Sequence, residues 1–294
     1  MRDLLKKVLF FLKQRMGVEM LRHSTESFMG LERKESFGNV LFIDGGNAEL
    51  CRSSDFAVHF VRLCGVSFGK KKTIDRREGF VLADVNGSCI DIRFFGLGMH
   101  DRLSFCAEDF QDVGCAALTA RKIAEIEFAR KLLKHADLIV LDGSLRSKNR
   151  YEQAYLNALI DDAKNLGKVV CGLSKTTSDA EKGKIIQGLI KRDGCWIYRC
   201  NDVFFVKLNK KSRYVFQLDV EKEHAKMVAE ELVNLSNDAS FLGYPYGLII
   251  AHRFAKVEES EKDYLTALFE ARAGKEWEWI RDKLKAVDAH DNLT

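Results

Sequence analysis

The 294-residue sequence contains a single proline, Pro245, and no stretch rich in proline, glycine or serine of the kind that forms a flexible linker. It also has no apolar run near the ~20 residues that a membrane-spanning helix requires. Its charges almost balance, because 47 Lys+Arg face 43 Asp+Glu and the formal net charge is +4. These features predict a chain that folds throughout and has no membrane segment. The small positive charge is compatible with a nucleic-acid partner but does not require one.

None of the eight cysteines forms a C-x-x-C pair, the spacing found in many zinc and thiol redox sites. Cys64, Cys89 and Cys171 lie in apolar, strand-like runs, where cysteine serves as a small hydrophobic residue. The pattern favours neither a zinc site nor a disulfide framework, and it predicts a reducing, cytoplasmic location. Residues 1–16 are basic and amphipathic, but they lack the long apolar core and the cleavage site of a signal peptide.

The sequence divides at about residue 38. Residues 1–38 are predicted to form an N-terminal helical arm, because this part is charged and lacks a strand signal. Residues 39–294 are predicted to form the main domain. The arm has two interpretations: a helix packed on the main domain, or an element for dimerisation or partner binding.

Strand-like runs dominate the main domain, first in series and then alternating with helical segments. The predicted strands are 40–43, 56–66, 79–83, 88–95, 138–141, 169–173, 196–199, 203–208 and 214–218. The predicted helices are 114–135, 151–166, 179–190, 221–235 and a charged tail over 258–285. This order favours an antiparallel meander followed by parallel strands with helical crossovers. We therefore predict an α/β fold with an RNase H-like mixed sheet flanked by helices, and with further helices at the C-terminus.

Two apolar strands each lead into an Asp-Gly pair, Asp44-Gly45 and Asp142-Gly143. An uninterrupted apolar run is typical of a buried central strand. An aspartate at the end of such a strand would lie at the rim of the sheet on a rigid element, and the glycine would allow a sharp turn. An isolated Asp-Gly pair is usually just a turn. Two of them after buried strands instead predict a divalent-metal site.

The helix before the second of these strands carries Glu125 and Glu127, which point about 200° apart on a helical wheel. Glu127 has the i,i+4 spacing to Lys131 that suits an exposed ion pair. We therefore assign Glu125 to the site and Glu127 to the surface. The alternative for Glu125 is an exposed helix charge.

The segment at residues 172–177, Gly-Leu-Ser-Lys-Thr-Thr, resembles the end of a phosphate-binding loop but lacks the full glycine spacing. Lys175 therefore has two interpretations. It could hold a substrate phosphate beside the clustered acids, or it could be an ordinary surface lysine.

The segment at residues 243–253, Gly-Tyr-Pro-Tyr-Gly-Leu-Ile-Ile-Ala-His-Arg, combines the only proline with two tyrosines and a His-Arg pair. His252 could bind a metal or orient water, although an isolated histidine is more often a packed or surface residue. Tyr244 and Tyr246 could stack on bases or bond to phosphates. Arg253 could bind phosphate.

Taken in order, these motifs resemble those of the NurA nuclease family. The matching segments are Phe-Ile-Asp-Gly at 42–45, the helix with Glu125, Leu-Asp-Gly-Ser-Leu at 141–145, Gly-Leu-Ser-Lys-Thr at 172–176, and 243–253. They span about residues 40–256, and the last segment is the most specific because it is long and unusual. The resemblance implies an RNase H-like core that cuts DNA with Mn²⁺, with Mg²⁺ as the alternative. It also implies a homodimer that works with a hexameric HerA ATPase in DNA end resection.

The resemblance implies roles for individual residues. The implied metal ligands are Asp44, Glu125, Asp142 and His252; Lys175 and Tyr244 join these four as catalytic residues; Lys175, Tyr246 and Arg253 would contact the substrate. Two positions depart from the family pattern. The usual Asp-Gly-Ser is Asp44-Gly45-Gly46 here, which deletes a hydroxyl near the metal, and the usual second proline after the tyrosines is Gly247.

These observations predict a metal-dependent DNA nuclease, an endonuclease on single-stranded DNA and a 5′–3′ exonuclease. One rival is a nuclease-like scaffold that binds DNA or an ATPase and cuts nothing, although the intact acidic set disfavours it. Another is an actin-like nucleotide hydrolase, which also places Asp-Gly pairs near phosphates but has no use for the Gly-Tyr-Pro-Tyr segment.

Overall fold

The computed structural model describes residues 4–10, 28–99, 102–147, 149–175, 186, 189–190 and 192–291. Within these residues one mixed sheet contains eleven strands. They are β1 (Phe28–Gly30), β2 (Val40–Arg52), β3 (Phe56–Phe68), β4 (Thr73–Asn86), β5 (Cys89–Phe95), β6 (Arg102–Cys106), β7 (Leu138–Asp142), β8 (Val169–Ser174), β9 (Trp196–Cys200), β10 (Val203–Lys207) and β11 (Phe216–Asp219). Their spatial order is β1-β9-β10-β11-β8-β7-β2-β3-β4-β5-β6.

Helices connect and cover these strands. They are α1 (Val113–Leu132), α2 (Arg150–Asn165), α3 (Ala225–Leu235), α4 (Tyr246–Ala255), α5 (Glu259–Ala273) and α6 (Glu276–Asp291), and residues 4–10 are also helical. Side chains cap the first two helices. Asp112 accepts a hydrogen bond from the N–H of Cys115 at 2.8 Å, and Asn149 accepts one from the N–H of Tyr151 at 2.9 Å. Such caps satisfy backbone donors that a helix leaves free at its first turn.

The sheet combines the two kinds of pairing that the sequence predicts. Strands β2 to β6 form an antiparallel meander in chain order. Strand β7 then pairs in parallel with β2 on one side and with β8 on the other, and α2 makes the crossover from β7 to β8. Residues 138–141 of β7 are fully buried. Their uninterrupted apolar sequence reflects a strand that is covered on both faces.

Two hydrophobic cores lie on the two faces of the central strands. Ile43 and Leu141 belong to the core that includes α1 and α2. Phe42 and Val140 belong to the core that includes α3 and α4. Because side chains alternate along a strand, neighbouring residues of β2 and β7 face different helices. This alternation decides which acids can meet at the site.

The structure corrects several sequence-based expectations. Asp44 does not end its strand, because β2 continues antiparallel to β3 as far as Arg52. The arm was expected to lack strands, but residues 28–30 form β1, which pairs with β9 at the edge of the sheet. Strand β6 was not predicted. Cys89 is exposed at the start of β5, and only Cys64 and Cys171 are buried as expected.

The remaining differences concern the later helices. The predicted helical tail is divided at Gly274, whose positive φ of 55° ends α5 before α6 begins. Most of the predicted helix over residues 179–190 lies outside the described residues. Among the helices that are described, none is both long enough and apolar enough to cross a membrane.

Candidate metal centre and cleft

Asp44 and Asp142 meet because β2 and β7 run side by side in parallel. Ile43 pairs with Leu141 in the register of the two strands, so the two aspartates follow at the same level. Each lies two residues after a residue of the α4-side core, and both side chains therefore point toward α4. The chain leaves the sheet directly after Asp142, where Gly143 has a φ of 119° that favours glycine.

Helix α4 brings His252 to this pair. The Nδ1 atom of His252 lies 2.8 Å from Oδ2 of Asp44, and 57% of the histidine side chain is exposed. The helix can approach β2 closely because both contact points are glycines. A Cβ on Gly46 would lie 2.1 Å from the carbonyl oxygen of Ala255, and one on Gly247 would lie 2.0 Å from Phe42. The two departures from the family pattern thus have a packing reason in this chain.

Asp142 is held by two partners. The hydroxyl of Tyr244 donates to Oδ1 of Asp142 at 3.0 Å, and Nζ of Lys175 lies 2.6 Å from Oδ2. The Lys175 ammonium also lies over the Tyr244 ring, 4.8 Å from its centre. Tyr244 is almost completely buried among aromatic residues of the α4-side core. Lys175 therefore joins the cluster, in contrast to the surface alternative.

The three residues that converge can supply the donor set of a metal ion. One oxygen each from Asp44 and Asp142 and one nitrogen from His252 all lie within 4.8 Å of one another. This separation fits two carboxylates that share one ion or a close pair of ions. Carboxylate oxygens with one imidazole suit Mg²⁺ and Mn²⁺, and imidazole shifts the preference toward Mn²⁺.

Glu125 lies on the other face of the sheet, under Gly45. It is fully buried, as its assignment to the interior requires, whereas Glu127 pairs with Arg130 at 3.2 Å instead of with Lys131. A Cβ on Gly45 would lie 2.8 Å from Oε2 of Glu125. Glu125 is close to the aspartates in space, but it is not part of the three-residue cluster found among the described residues.

Two cations occupy the carboxylate of Glu125. Arg121 donates to Oε2 at 2.9 Å, and Lys122 donates to Oε1 at 2.5 Å. Arg121 also bonds to the carbonyl oxygen of Gly45 at 2.6 Å, and Lys122 lies 3.4 Å from the carbonyl oxygen of Asp142. The pair of cations was not predicted from the sequence. Their i,i+4 and i,i+3 spacing to Glu125 was the available signal.

A cleft of about 320 Å³ opens above these groups. Its lining combines the acids with several cations: Asp44, Gly45, Gly46, Asn47, Arg121, Lys122, Asp142, Lys175, His252, Lys256 and Val257. Acids that bind metal and cations that attract phosphate thus face the same space.

Two predicted substrate contacts lie outside the described lining of the cleft. Tyr246 begins α4 and packs against Phe68, while the ammonium of Lys72 lies 5.1 Å from each ring. Arg253 is exposed on α4 next to His252. The structure therefore does not bring Tyr246 to the acidic cluster, and Arg253 follows the site along the helix.

The surroundings shift the pKa of three groups. The hydrogen bond to Asp44 raises the pKa of His252 above 6.5, and burial opposes this rise. Burial and the adjacent Asp142 raise the pKa of Tyr244, so the hydroxyl keeps its proton and acts as a donor. Burial raises the pKa of Glu125, while Lys122 and Arg121 oppose that rise.

In comparisons with known proteins, no family model and no curated protein sequence matches the chain. Similar folds do occur among solved structures. The NurA nuclease from Sulfolobus solfataricus has a TM-score of 0.60 at 14% identity, over 95% of this chain and 96% of that one. Endonuclease V from Ciona intestinalis, bound to DNA containing an inosine, has a TM-score of 0.48 at 11% identity, over 82% of this chain and 93% of that one. The similarity to NurA confirms the RNase H-like fold and agrees with the resemblance between the sequence motifs.

Proposed function

We propose that this protein is a metal-dependent deoxyribonuclease, with Mn²⁺ as its cofactor and Mg²⁺ as the alternative. The observation that carries the proposal is the convergence of Asp44, Asp142 and His252 at one end of two parallel central strands. The fold, which is similar to that of the NurA nuclease, supports the same conclusion. The basic groups around the acids suit a phosphodiester substrate.

In the proposed site, Asp44, Asp142 and His252 hold the metal. A divalent ion bound there lowers the pKa of an attacking water and stabilises charge on the phosphate and leaving oxygens. Tyr244 orients the Asp142 carboxylate through the bond to Oδ1. Lys175, which pairs with Oδ2 when the metal is absent, is free to turn to a substrate phosphate once a cation replaces it at that oxygen.

Finer properties of the proposal rest on the family resemblance. They include endonuclease action on single-stranded DNA, 5′–3′ exonuclease action, a homodimer and a HerA-type hexameric ATPase partner in double-strand break resection. A cytoplasmic location and the division into an arm over residues 1–38 and a nuclease domain over residues 39–294 belong to the same proposal. Co-purification with a hexameric ATPase and light scattering of the purified protein would test the partner and the dimer.

The test of the activity uses labelled single-stranded DNA with and without Mn²⁺. We expect Asp44→Asn and Asp142→Asn to reduce cleavage by about two to four orders of magnitude, because several kcal/mol of transition-state stabilisation depend on the metal. The matched control is Asp202→Asn, since Asp202 is 87% exposed and lies in the turn between β9 and β10. Undiminished cleavage by both site variants would contradict the assignment.

A second candidate is a scaffold that binds DNA or an ATPase without cleavage. It is favoured by one observation: the carboxylate of Glu125 is already bound to Arg121 and Lys122, so only two carboxylates face the metal position. Uncut DNA in the presence of Mn²⁺, together with retained binding of DNA or an ATPase, would support the scaffold.

A further inference from the structure

The position of Glu125 raises the question of what a buried acid does beside a metal site that it does not enter. Asp44 and Asp142 point toward α4, whereas Glu125 comes from α1 on the opposite face of β2. The backbone at Gly45 lies between them, with the Glu125 carboxylate directly below it. To reach the metal position, Glu125 would have to pass this backbone and release both cations.

Both carboxylate oxygens of Glu125 are engaged, one with Arg121 and one with Lys122. Removing a carboxylate from water is favourable only when its oxygens are fully paired. The same holds for the two cations, whose side chains are only 22% and 14% exposed. The three groups therefore form a self-consistent unit in which one negative charge holds two positive charges close together.

The unit is fastened to both strands of the metal site. Arg121 donates to the carbonyl oxygen of Gly45, the residue after Asp44. Lys122 lies near the carbonyl oxygen of Asp142 itself. The exposed parts of both cations line the cleft. A phosphate bound at the metal position would therefore lie above one Arg and one Lys that are fixed relative to the aspartates.

We propose that Glu125 is a positioning residue: it stays outside the metal coordination shell and holds Arg121 and Lys122 as a phosphate-binding pair on the floor of the cleft. This inference rests on the proposed nuclease function. Two fixed cations would orient the scissile phosphate against the metal, since arginine provides a planar donor fork and lysine a point charge. The net charge of the unit is positive, so it attracts the nucleic-acid backbone.

The first experiment measures Mn²⁺ binding to the full-length protein by calorimetry without DNA. We expect Glu125→Gln to bind Mn²⁺ within about twofold of wild type, while Asp142→Asn loses at least about tenfold. Glu127→Gln, on the same helix, is the matched control. A loss in Glu125→Gln as large as in Asp142→Asn would make Glu125 a ligand and overturn the inference.

The second experiment measures binding of fluorescein-labelled single-stranded DNA by anisotropy in EDTA, where no cleavage occurs. We expect Lys122→Met and Arg121→Met each to weaken binding about tenfold. Each should also reduce the slope of log affinity against log salt by about 0.7, the value for one lost phosphate contact on a single strand. Lys131→Met, an exposed lysine of α1, is the control. Unchanged affinity and slope in both site variants would overturn the inference.

A third measurement separates positioning from general structural support. If Glu125 acts through the cations, Glu125→Gln should reduce cleavage strongly in wild type but by less than about twofold in an Arg121→Met/Lys122→Met background. Equal losses in both backgrounds would overturn the inference. If the wild-type protein neither cuts nor binds DNA, the proposed function itself fails. If it does both and only the floor variants behave like wild type, the inference fails alone.

Discussion

The two faces of the sheet beside β7 use carboxylates in opposite ways. On the α4 face, Asp44 and Asp142 have partners that a metal could replace, and they open onto the cleft. On the α1 face, Glu125 is fully buried and both of its oxygens are paired with cations. The comparison teaches that sequence proximity to a site does not define a ligand. Burial and the number of fixed partners decide whether an acid binds a metal or organises other charges.

The largest effect on this comparison should come from separating α4 from β2. We expect Gly46→Ser, which restores the residue usual in the family, to destabilise the protein by about 1–3 kcal/mol, because its Cβ would overlap the backbone of Ala255. His252 should then move away from Asp44, and Mn²⁺ affinity should fall. Urea unfolding and calorimetry measure the two effects.

Gly30→Ala is the control for this substitution, because a Cβ on Gly30 meets no atom within 4 Å. Wild-type stability and Mn²⁺ affinity in Gly46→Ser would show that the close approach of α4 is not needed to form the metal centre.

A smaller effect should follow from removing the hydroxyl that orients Asp142. Tyr244→Phe keeps the ring that packs in the core and lies under Lys175, but it deletes the donor to Oδ1. We expect Mn²⁺ affinity or cleavage to fall about 10–100-fold, the usual effect of losing a hydrogen bond to a metal ligand. Tyr246→Phe should have no such effect, because that residue packs against Phe68. Equal behaviour of the two variants would contradict the orienting role.

The smallest effect concerns the end of α4 and its dependence on pH. Arg62 is buried on β3, pairs with Glu78 and Glu261, and donates to the carbonyl oxygen of Lys256 at 2.9 Å. These contacts lower the pKa of Glu78 and Glu261 below 4.5, with Arg62 opposing the burial of Glu78. A lowered folded-state pKa gives stability that is present above the unfolded value and is lost as the pH falls through the folded value.

We therefore expect Glu261→Gln to lower the free energy of unfolding at pH 7 by less than about 1 kcal/mol, because the carboxylate is partly exposed. The difference from wild type should shrink as the pH falls below 4.5. Urea unfolding across this range measures it, with Glu259→Gln on the same helix as the control, since Glu259 is 77% exposed. A difference that stays constant with pH would argue against the ion pair.

Much of the central sheet could be predicted from local sequence. The uninterrupted apolar run of β7 predicted a central strand, and the helical stripe of α1 predicted a long helix whose interior acid is Glu125. The short edge strand at Phe28–Gly30 could not be found this way, because its only partner is β9, far along the chain. Likewise, β2 was expected to end at Asp44. Its extension depends on pairing with β3, which tolerates the two glycines.

The sequence alone determined the acids of this protein, the strands that carry them and the rare segment with Tyr244 and His252, because apolar patterning and residue chemistry are local properties. Tertiary structure decided which acids face one another. Parallel pairing of β2 with β7 set Asp44 level with Asp142, and side-chain alternation turned both toward α4. The same alternation left Glu125 on the opposite face with Arg121 and Lys122. Which face a residue occupies, and what it meets there, depends on contacts between segments distant in sequence.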